Sequence, residues 1–365
     1  MKVLFLTSTI GNGGIQSWAK NYIKACSLCE LKHMQISRRR SLIRYDSKIP
    51  IKRIKDGVMD MIDLIRDLRR VLKEDKTIDL IHSTTSGGFG TFRDYFTALT
   101  AHKYGVKIIM HCHYGSIPID YNNKGIWGWL LRKTLPLYDQ IWVLDSKSVA
   151  TLQENLVLKN KVKLAPNFID VPDISKIAAK KYYDVAFVGN LLPTKGLYEL
   201  VKAVASIKNE TRLTIVGPGK PSIIEHIKTL SGDKFGKEIK VTGLLPNDEA
   251  VKLIANMDII ALPTYFPAEA FPISILEAMS RGKMVISTKR AAIPDILTDL
   301  DGNCCGKLVE EGSISDIVSA ILWCQENCKE ADTMCANAYK KVKSVYQTDV
   351  ILNRYYSYYK ELANS

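Results

Sequence analysis

The sequence predicts an α/β protein of two domains, each a parallel sheet wrapped in helices. Two observations carry this. Short apolar runs ending in glycine-bearing turns alternate with helix-length amphipathic stretches, the pattern of βα units feeding a parallel sheet. The alternation runs once before about residue 170 and again after it, and 365 residues are enough for two ordinary domains. Hydrophobic content of 46% with 24% charged residues suits a soluble globular chain with material for two cores.

In the first half, residues 2–8 form a continuous apolar strand pattern. Gly11-Asn12-Gly13-Gly14 follows, then an amphipathic helix from about 15 to 29. Glycines in such a turn let backbone N–H groups approach an anion. Gln16 stands where the third glycine of G-x-G-x-x-G would fall, so the turn alone is a weak signal. A helix is expected over 56–73, with Met59, Ile62, Ile65 and Leu68 inward. Strands follow at 77–82 and 106–110, with a helix over 93–104 between them. His111-Cys112-His113-Tyr114-Gly115 stands at the carboxyl end of the second of these strands, where ligands of open parallel sheets bind. A metal there lacks an acidic or cysteine partner at ligand spacing. A strand at 140–144 and the Pro166–Asp170 turn lead to a linker, polar and lysine-bearing, over 171–181.

The second half repeats the theme: a strand at 184–188, the loop Gly189-Asn190-Leu191-Leu192-Pro193-Thr194-Lys195-Gly196, and a helix to about 207. Strands are expected at 213–216, ahead of Gly217-Pro218-Gly219, at 239–241, 258–262 and 285–287. The segment 262–288, LPTYFPAEAFPISILEAMSRGKMVIST, is the organising stretch. Glu269 lies in its proline-rich loop, Pro272 suits a first helical turn, and Glu277 falls on the helix, which Gly282 ends. Two acceptor carboxylates beside a helix N-terminus suit a ligand with a phosphate and several hydroxyls. The plainer reading of Glu277 is an i,i+4 ion pair with Arg281.

Charge and cysteine content narrow the classes. Lys plus Arg is 51 against 38 acids, a formal +13, which favours anionic partners. The densest basic region, 38–55, is interleaved with apolar residues. It reads either as an anionic membrane surface contact or as a solvated face. No recognised nucleic-acid motif occurs, so no specific nucleic acid is expected. The eight cysteines form no disulfide framework or zinc spacing and read as free thiols. No apolar run reaches transmembrane length and the N-terminus has too short an apolar core for a signal peptide, so a cytoplasmic location is expected, peripheral to the inner membrane face if 38–55 binds lipid.

The string E-A-F-P-I-S-I-L-E-A-M-S-R-G-K-M-V-I resembles the E-x7-E segment of retaining glycosyltransferases of family GT4, of the bacterial surface-polysaccharide type. The resemblance implies a GT-B fold, two Rossmann-like doubly wound domains facing across a cleft. It implies an acceptor-side domain over 1–170, a nucleotide-sugar domain over 171–345, and a C-terminal helix over 346–365 crossing back to the first. The implied donor is a nucleotide diphosphate sugar, by default a UDP-hexose or UDP-N-acetylhexosamine. The acceptor is a saccharide, lipid-linked on the strength of the basic first domain. No resident cofactor and no metal are implied.

By the same resemblance His113 lies at the donor sugar, with His111 the alternative. Lys195 meets the leaving phosphates, Glu269 holds a hydroxyl of the transferred sugar, and Glu277 the ribose hydroxyls. Asn190, Gly217, Phe271, Pro272, Ile273 and Ser274 join the donor site; Gly13, Gly14 and His111 lie on the acceptor side. The family's loop is G-R-L-x-x-x-K-G, so Asn190 replaces an arginine, and Ala270 stands where glycine is commoner. The alternative reading is a non-catalytic GT-B partner subunit of a glycosyltransferase complex.

Overall fold

A computed structural model describes residues 1–11, 13–39, 50–174 and 181–365, the side chains of 50–53 excepted. The chain forms two compact units, one comprising Met1–Asn167 with Thr348–Ser365, the other Phe168–Gln347.

The first unit holds six parallel strands: β1 (Lys2–Thr7), β2 (Glu30–Gln35), β3 (Leu80–Thr85), β4 (Lys107–Cys112), β5 (Gln140–Val143) and β6 (Val162–Leu164), in the order β2-β1-β3-β4-β5-β6. Alternation along the central strands sorts side chains to two faces. Leu4, Leu6, Ile81, Met110 and Val143 point one way, into a core closed by Leu64, Leu68 and Leu72 of helix α2 (Pro50–Glu74), Ala98 and Ala101 of α3 (Gly90–Lys103), and Leu131. Each such leucine contributes roughly 1.5–3 kcal/mol on burial. α1 (Gly14–Ala25) and the C-terminal helix Thr348–Ala363 cover the other face, where Phe5, His82, His111 and Trp142 meet Trp18, Tyr22, Tyr355 and Tyr359 edge-on or stacked.

A buried hydrogen-bonded chain crosses that aromatic face. Tyr22 Oη lies 2.7 Å from Tyr359 Oη, which lies 2.5 Å from His82 Nδ1; His82 Nε2 lies 3.2 Å from His111 Nδ1, and His111 Nε2 lies 3.1 Å from the Ala165 carbonyl. Burial holds both imidazoles far down the scale, His111 to about 3, so both are neutral. A carbonyl only accepts, so His111 donates through Nε2 and accepts at Nδ1. The direction of the whole chain follows: His82 donates to His111, Tyr359 to His82, and Tyr22 to Tyr359. Tyr359→Phe leaves His82 Nδ1 buried without its donor, at a cost of about 1–3 kcal/mol. The expected result is a melting midpoint several degrees lower in a thermal scan, with the fold retained.

Three expectations need correcting in this unit. Strand β2 was not foreseen: Glu30–Gln35 is a polar, mostly solvent-facing edge strand. Strands β3 and β4 run two or three residues further than expected and carry buried polar ends, with Thr84 Oγ1 donating to Thr7 Oγ1 at 3.0 Å. Helix α2 turns Asp63 and Asp67 inward with Leu64 and Leu68, while Met59 and Ile62 are exposed. The cause is Arg39, paired with Asp63 and, at 2.8 Å, Asp60, together with Arg38, 2.7 Å from Asp67. The same pairs involve the start of the basic region 38–55. Its first two arginines are neutralised against α2, Lys55 is exposed, and 40–49, with Arg44 and Lys48, lie outside the described residues.

The second unit holds β7 (Asp184–Val188), β8 (Arg212–Val216), β9 (Ile239–Gly243), β10 (Ile259–Leu262), β11 (Met284–Thr288) and β12 (Lys307–Val309), all parallel, in the order β12-β11-β10-β7-β8-β9. β7, β10 and β11 are apolar runs buried on both faces, as a doubly wound sheet requires. The strand order reverses between β7 and β10, which makes their carboxyl ends the topological switch point, where open α/β sheets bind ligands.

Candidate active site

The two loops at that switch point are knitted together. Gly196 ends the β7 loop at φ +71°, and a Cβ there would stand 2.0 Å from the Pro263 carbonyl of the β10 loop. Only glycine permits that approach. Tyr265 N–H donates to Thr194 O at 2.9 Å, tying the loops a second time. Gly217, at φ +141°, lets the β8 loop close on Gly189 in the same way, its Cβ position being 1.8 Å from Gly189 O. The result is a fixed pair: Lys195 Nζ lies 3.2 Å from Glu269 Oε2, and Thr264 Oγ1 donates to the same oxygen at 3.2 Å. Both partners are largely buried, 16% and 10% of their side chains being exposed. Thr288 Oγ1 braces the loop from β11 by donating to Thr264 O at 2.5 Å.

The β10 loop runs on through Phe271 to the helix Ile273–Met279. Pro272 stands at its N-cap rather than inside the first turn. Ile275, Leu276 and Met279 are fully buried, and Glu277 lies on the partly exposed side with Ile273 and Ser274. The ion pair of Glu277 with Arg281 does not form. Arg281 Nη1 donates instead to the Glu277 backbone carbonyl at 3.0 Å and to Ser280 Oγ at 2.8 Å. Among the described residues the Glu277 carboxylate has no hydrogen-bond or ion-pair partner. Burial raises its pKa to about 7, Arg281 opposing only in part. A half-buried carboxyl without a partner, in a loop-and-helix segment at a switch point, is a candidate ligand-binding group.

In the first unit the corresponding reversal lies between β1 and β3. Gly13 is the N-cap of α1, Gly14 its first residue, and the Gln16 side chain folds over Gly13. A small depression lies beside them, lined by Ser8, Gln16, Thr84, Thr85 and Arg93 together with Ile15 and Ile36. His113 follows β4, its backbone N–H donating to Thr85 O at 2.8 Å. Its ring stands between Trp18 and His111, with centroids 4.2 and 4.1 Å away. Nε2 is buried with no partner among the described residues, and burial holds the imidazole neutral. His111, by contrast, lies within β4, is wholly buried, and has both ring nitrogens engaged. That corrects its expected place in an acceptor-side loop.

Residues 172–341 match the family model described as "Glycosyl transferases group 1". The second unit belongs to the group 1 glycosyl transferases. Among relatives, the phosphatidylinositol N-acetylglucosaminyltransferase GPI3 subunit of Saccharomyces cerevisiae is 24% identical over 276 residues, 69% of this chain and 56% of that protein. This chain thus spans about half the length of that relative. Among solved structures, Anabaena HepE in complex with UDP superposes with a TM-score of 0.70 at 16% identity, over 99% of this chain and 100% of that one. A lipopolysaccharide outer core galactosyltransferase, WaaB, gives 0.70 at 17%, with the same coverage. At such identities the likeness is one of fold, and the fold is GT-B.

Within this glycosyl transferase domain, Lys195 and Glu269 meet directly, and Glu277 follows on the same loop-and-helix segment. Asn190 lies in the β7 loop, where its side chain makes no hydrogen bond among the described residues. Gly217 acts through its backbone. His113, Gly13 and Gly14 belong to the other unit. Asp299-Leu300-Asp301 is a turn, with Asp299 Oδ1 accepting from the Asp301 and Asn303 backbones at 2.9 and 2.7 Å. Two groups went unnoticed in the sequence. Glu199, four residues beyond Lys195, accepts from Tyr265 Oη at 3.4 Å, and its second oxygen is buried and unpartnered among the described residues. Thr264 orients Glu269. The spacing Lys195-x3-Glu199 was the available signal for the first; nothing local marks the second.

Proposed function

We propose that the protein is a retaining, metal-independent hexosyltransferase that moves a sugar from a UDP-hexose or UDP-N-acetylhexosamine to a saccharide acceptor. The observation that carries this is the buried Lys195–Glu269 pair, oriented by Thr264 at the β7/β10 switch point of a group 1 glycosyl transferase domain. On this reading the Lys195 ammonium, fixed beside Glu269 before the donor arrives, meets the charge that develops on the diphosphate as the C–O bond breaks. Glu269, bonded to Thr264, then accepts from a hydroxyl of the transferred sugar. The Glu277 carboxylate accepts from the ribose hydroxyls. Asn190 and the backbone from Phe271 to Ser274 serve the phosphates, and neutral His113 offers Nε2 to a sugar hydroxyl. No resident cofactor takes part. Gly13 and Gly14 face the acceptor. A lipid-linked acceptor in surface polysaccharide assembly, at the inner membrane face, is supported by the +13 charge and by the outer-core activity named for WaaB.

A second reading, a non-catalytic partner subunit, is favoured by Asn190 in place of an arginine and by the description of the yeast relative as a subunit. A thermal-shift panel of UDP, GDP, ADP and their sugars separates the two from a chain that binds no nucleotide. A selective rise with UDP and UDP-sugars is expected. Release of UDP with an acceptor extract then distinguishes enzyme from subunit. A flat panel across all three nucleotides would sink the donor-site reading.

A further inference from the structure

Helix α3 is amphipathic in the wrong sense for a helix covering a core. Its inward face carries Thr91, Asp94, Thr97, Ala98, Thr100 and Ala101, small or polar and all buried. The threonines there satisfy themselves on the helix, Thr97 donating to Arg93 O and Thr100 to Phe96 O, each at 2.8 Å. The outward face is the apolar one. Phe92, Phe96 and Leu99, one stripe at helical spacing, are 40–44% exposed, and Phe89 just before the helix is 69% exposed. The neighbouring helix Ile126–Thr134 does the same. It buries Gly128, Leu130 and Leu131 and turns Ile126 and Trp129 outward at 65% and 53% exposure.

The two helices present one surface. Phe89 and Phe92 meet the Trp127 ring edge-on, at 4.8 and 5.8 Å. On the far side of α3, helix α2 adds the exposed stripe Ile54, Val58 and Ile62. Burying or exposing an aromatic ring matters at the scale of kcal/mol, so a row of them facing water marks an interaction surface.

Charge selects the occupant. Lys103 continues the Phe92-Phe96-Leu99 stripe at i+4 from Leu99, and Lys133 continues the Ile126-Trp129 stripe at i+4 from Trp129. Lys103, Lys124 and Lys133 are exposed and have no ion-pair partner among the described residues. The segment 86–134 contains only two acids, and neither is available. Asp94 is buried against Arg93 and Thr85, and Asp120 accepts from Ser116 Oγ. Against a second copy, this surface would set lysine against lysine with no acid to answer it. Rings flanked by unanswered lysines match the interface of an anionic bilayer, where phenylalanine and tryptophan enter the headgroup–acyl boundary and lysines meet lipid phosphates.

We propose that the α3 surface, with Phe92, Phe96 and Trp129 at its centre and Lys103 and Lys133 at its edge, seats the protein on an anionic lipid bilayer. The site is distinct from the basic region 38–55 and from the donor residues of the second unit. Among the described residues no helix is long and apolar enough to cross a membrane, so the contact is one of lying on the surface.

Flotation of the full chain with vesicles tests this, without nucleotide, so that the outcome is independent of the donor-site reading. Wild type is expected to float with vesicles containing phosphatidylglycerol and not with phosphatidylcholine alone. Phe92→Ser with Phe96→Ser and Trp129→Ser, and separately Lys103→Glu with Lys133→Glu, should each lower partitioning at least about tenfold. All five positions are exposed, so the melting midpoint should hold, which excludes misfolding as the cause. Trp127 and Trp129 fluorescence should shift to the blue and be quenched by brominated lipid. Equal flotation of the serine variant would overturn the proposal, as would equal binding to neutral vesicles. So would light scattering that shows a wild-type dimer which the serine variant converts to monomer, since the surface would then serve a second copy; capture by an acidic protein with no vesicle binding would reassign it likewise.

Discussion

Lys195→Met is expected to lower kcat by about 10²–10³-fold with a much smaller change in KM for the donor. The argument starts from the resting pair. Lys195 is held at 3.2 Å from Glu269 by two loops that cannot move apart without losing the Gly196 contact and the Tyr265–Thr194 hydrogen bond. A cation fixed in advance costs no reorganisation when diphosphate charge develops, and its value is realised in the transition state rather than in ground-state binding. Methionine keeps most of the length and removes the charge, and Glu269 retains its hydrogen bond from Thr264. The check is steady-state UDP release alongside a thermal scan. A drop confined to KM would assign Lys195 to ground-state binding, and unchanged kinetics would remove it from the chemistry. Lys195→Arg is the useful companion: it keeps the charge but not the fit in a loop this tightly packed, and should recover only part of the rate.

The parts of this molecule that were legible in the sequence are those where one residue's neighbours are close in the chain. β1, β7, β10 and β11 are unbroken apolar runs, because a strand covered on both faces has no reason to alternate. The loops after β7 and β10 stood out in the sequence through the family resemblance of 262–288 and of the Lys195 segment. What the sequence concealed depends on distant partners. Asp63 and Asp67 are buried in α2 only because Arg38 and Arg39 arrive from another segment, so the helix was turned the wrong way. β3 continues through Ser83-Thr84-Thr85, and β4 through His111, because those polar groups find partners across the sheet that no local pattern reveals. The direct contact of Lys195 with Glu269 was hidden for the same reason: the two are joined by the sheet's reversal between β7 and β10, not by spacing. α3 is a different case. Its aromatic stripe faces outward, and the residues small enough to lie against the sheet are its threonines and alanines.

Glu277→Gln is expected to do two opposite things. It should abolish or sharply reduce stabilisation by UDP, and it should make the ligand-free protein more stable at neutral and alkaline pH. The second effect follows from the raised pKa of about 7. An unfolded glutamate titrates near 4.3, so between these values the folded state holds the proton that the unfolded state has released. The stability from that proton is fully present below about pH 4 and is lost as pH rises through about 7. Glutamine cannot ionise, so the variant keeps what the wild type loses. At roughly 1.4 kcal/mol per pKa unit, discounted for partial exposure, the difference is about 1–3 kcal/mol above pH 7 and vanishes below pH 4. The first effect follows from the carboxylate's lack of any partner in the ligand-free protein: its acceptor capacity is left for ribose hydroxyls, and hydrogen bonds to a charged acceptor are about twice as strong as neutral ones. Wild-type affinity for UDP should therefore rise with pH through about 7, and the variant's should stay flat. Thermal scans across pH, with and without UDP, read both effects at once. A variant stabilised by UDP as well as the wild type would remove Glu277 from the donor site, while a variant less stable than wild type at pH 8 would show that the carboxylate holds the helix Ile273–Met279 in place. The predicted combination, more stable and less responsive, is what separates a group kept for a ligand from one kept for the fold.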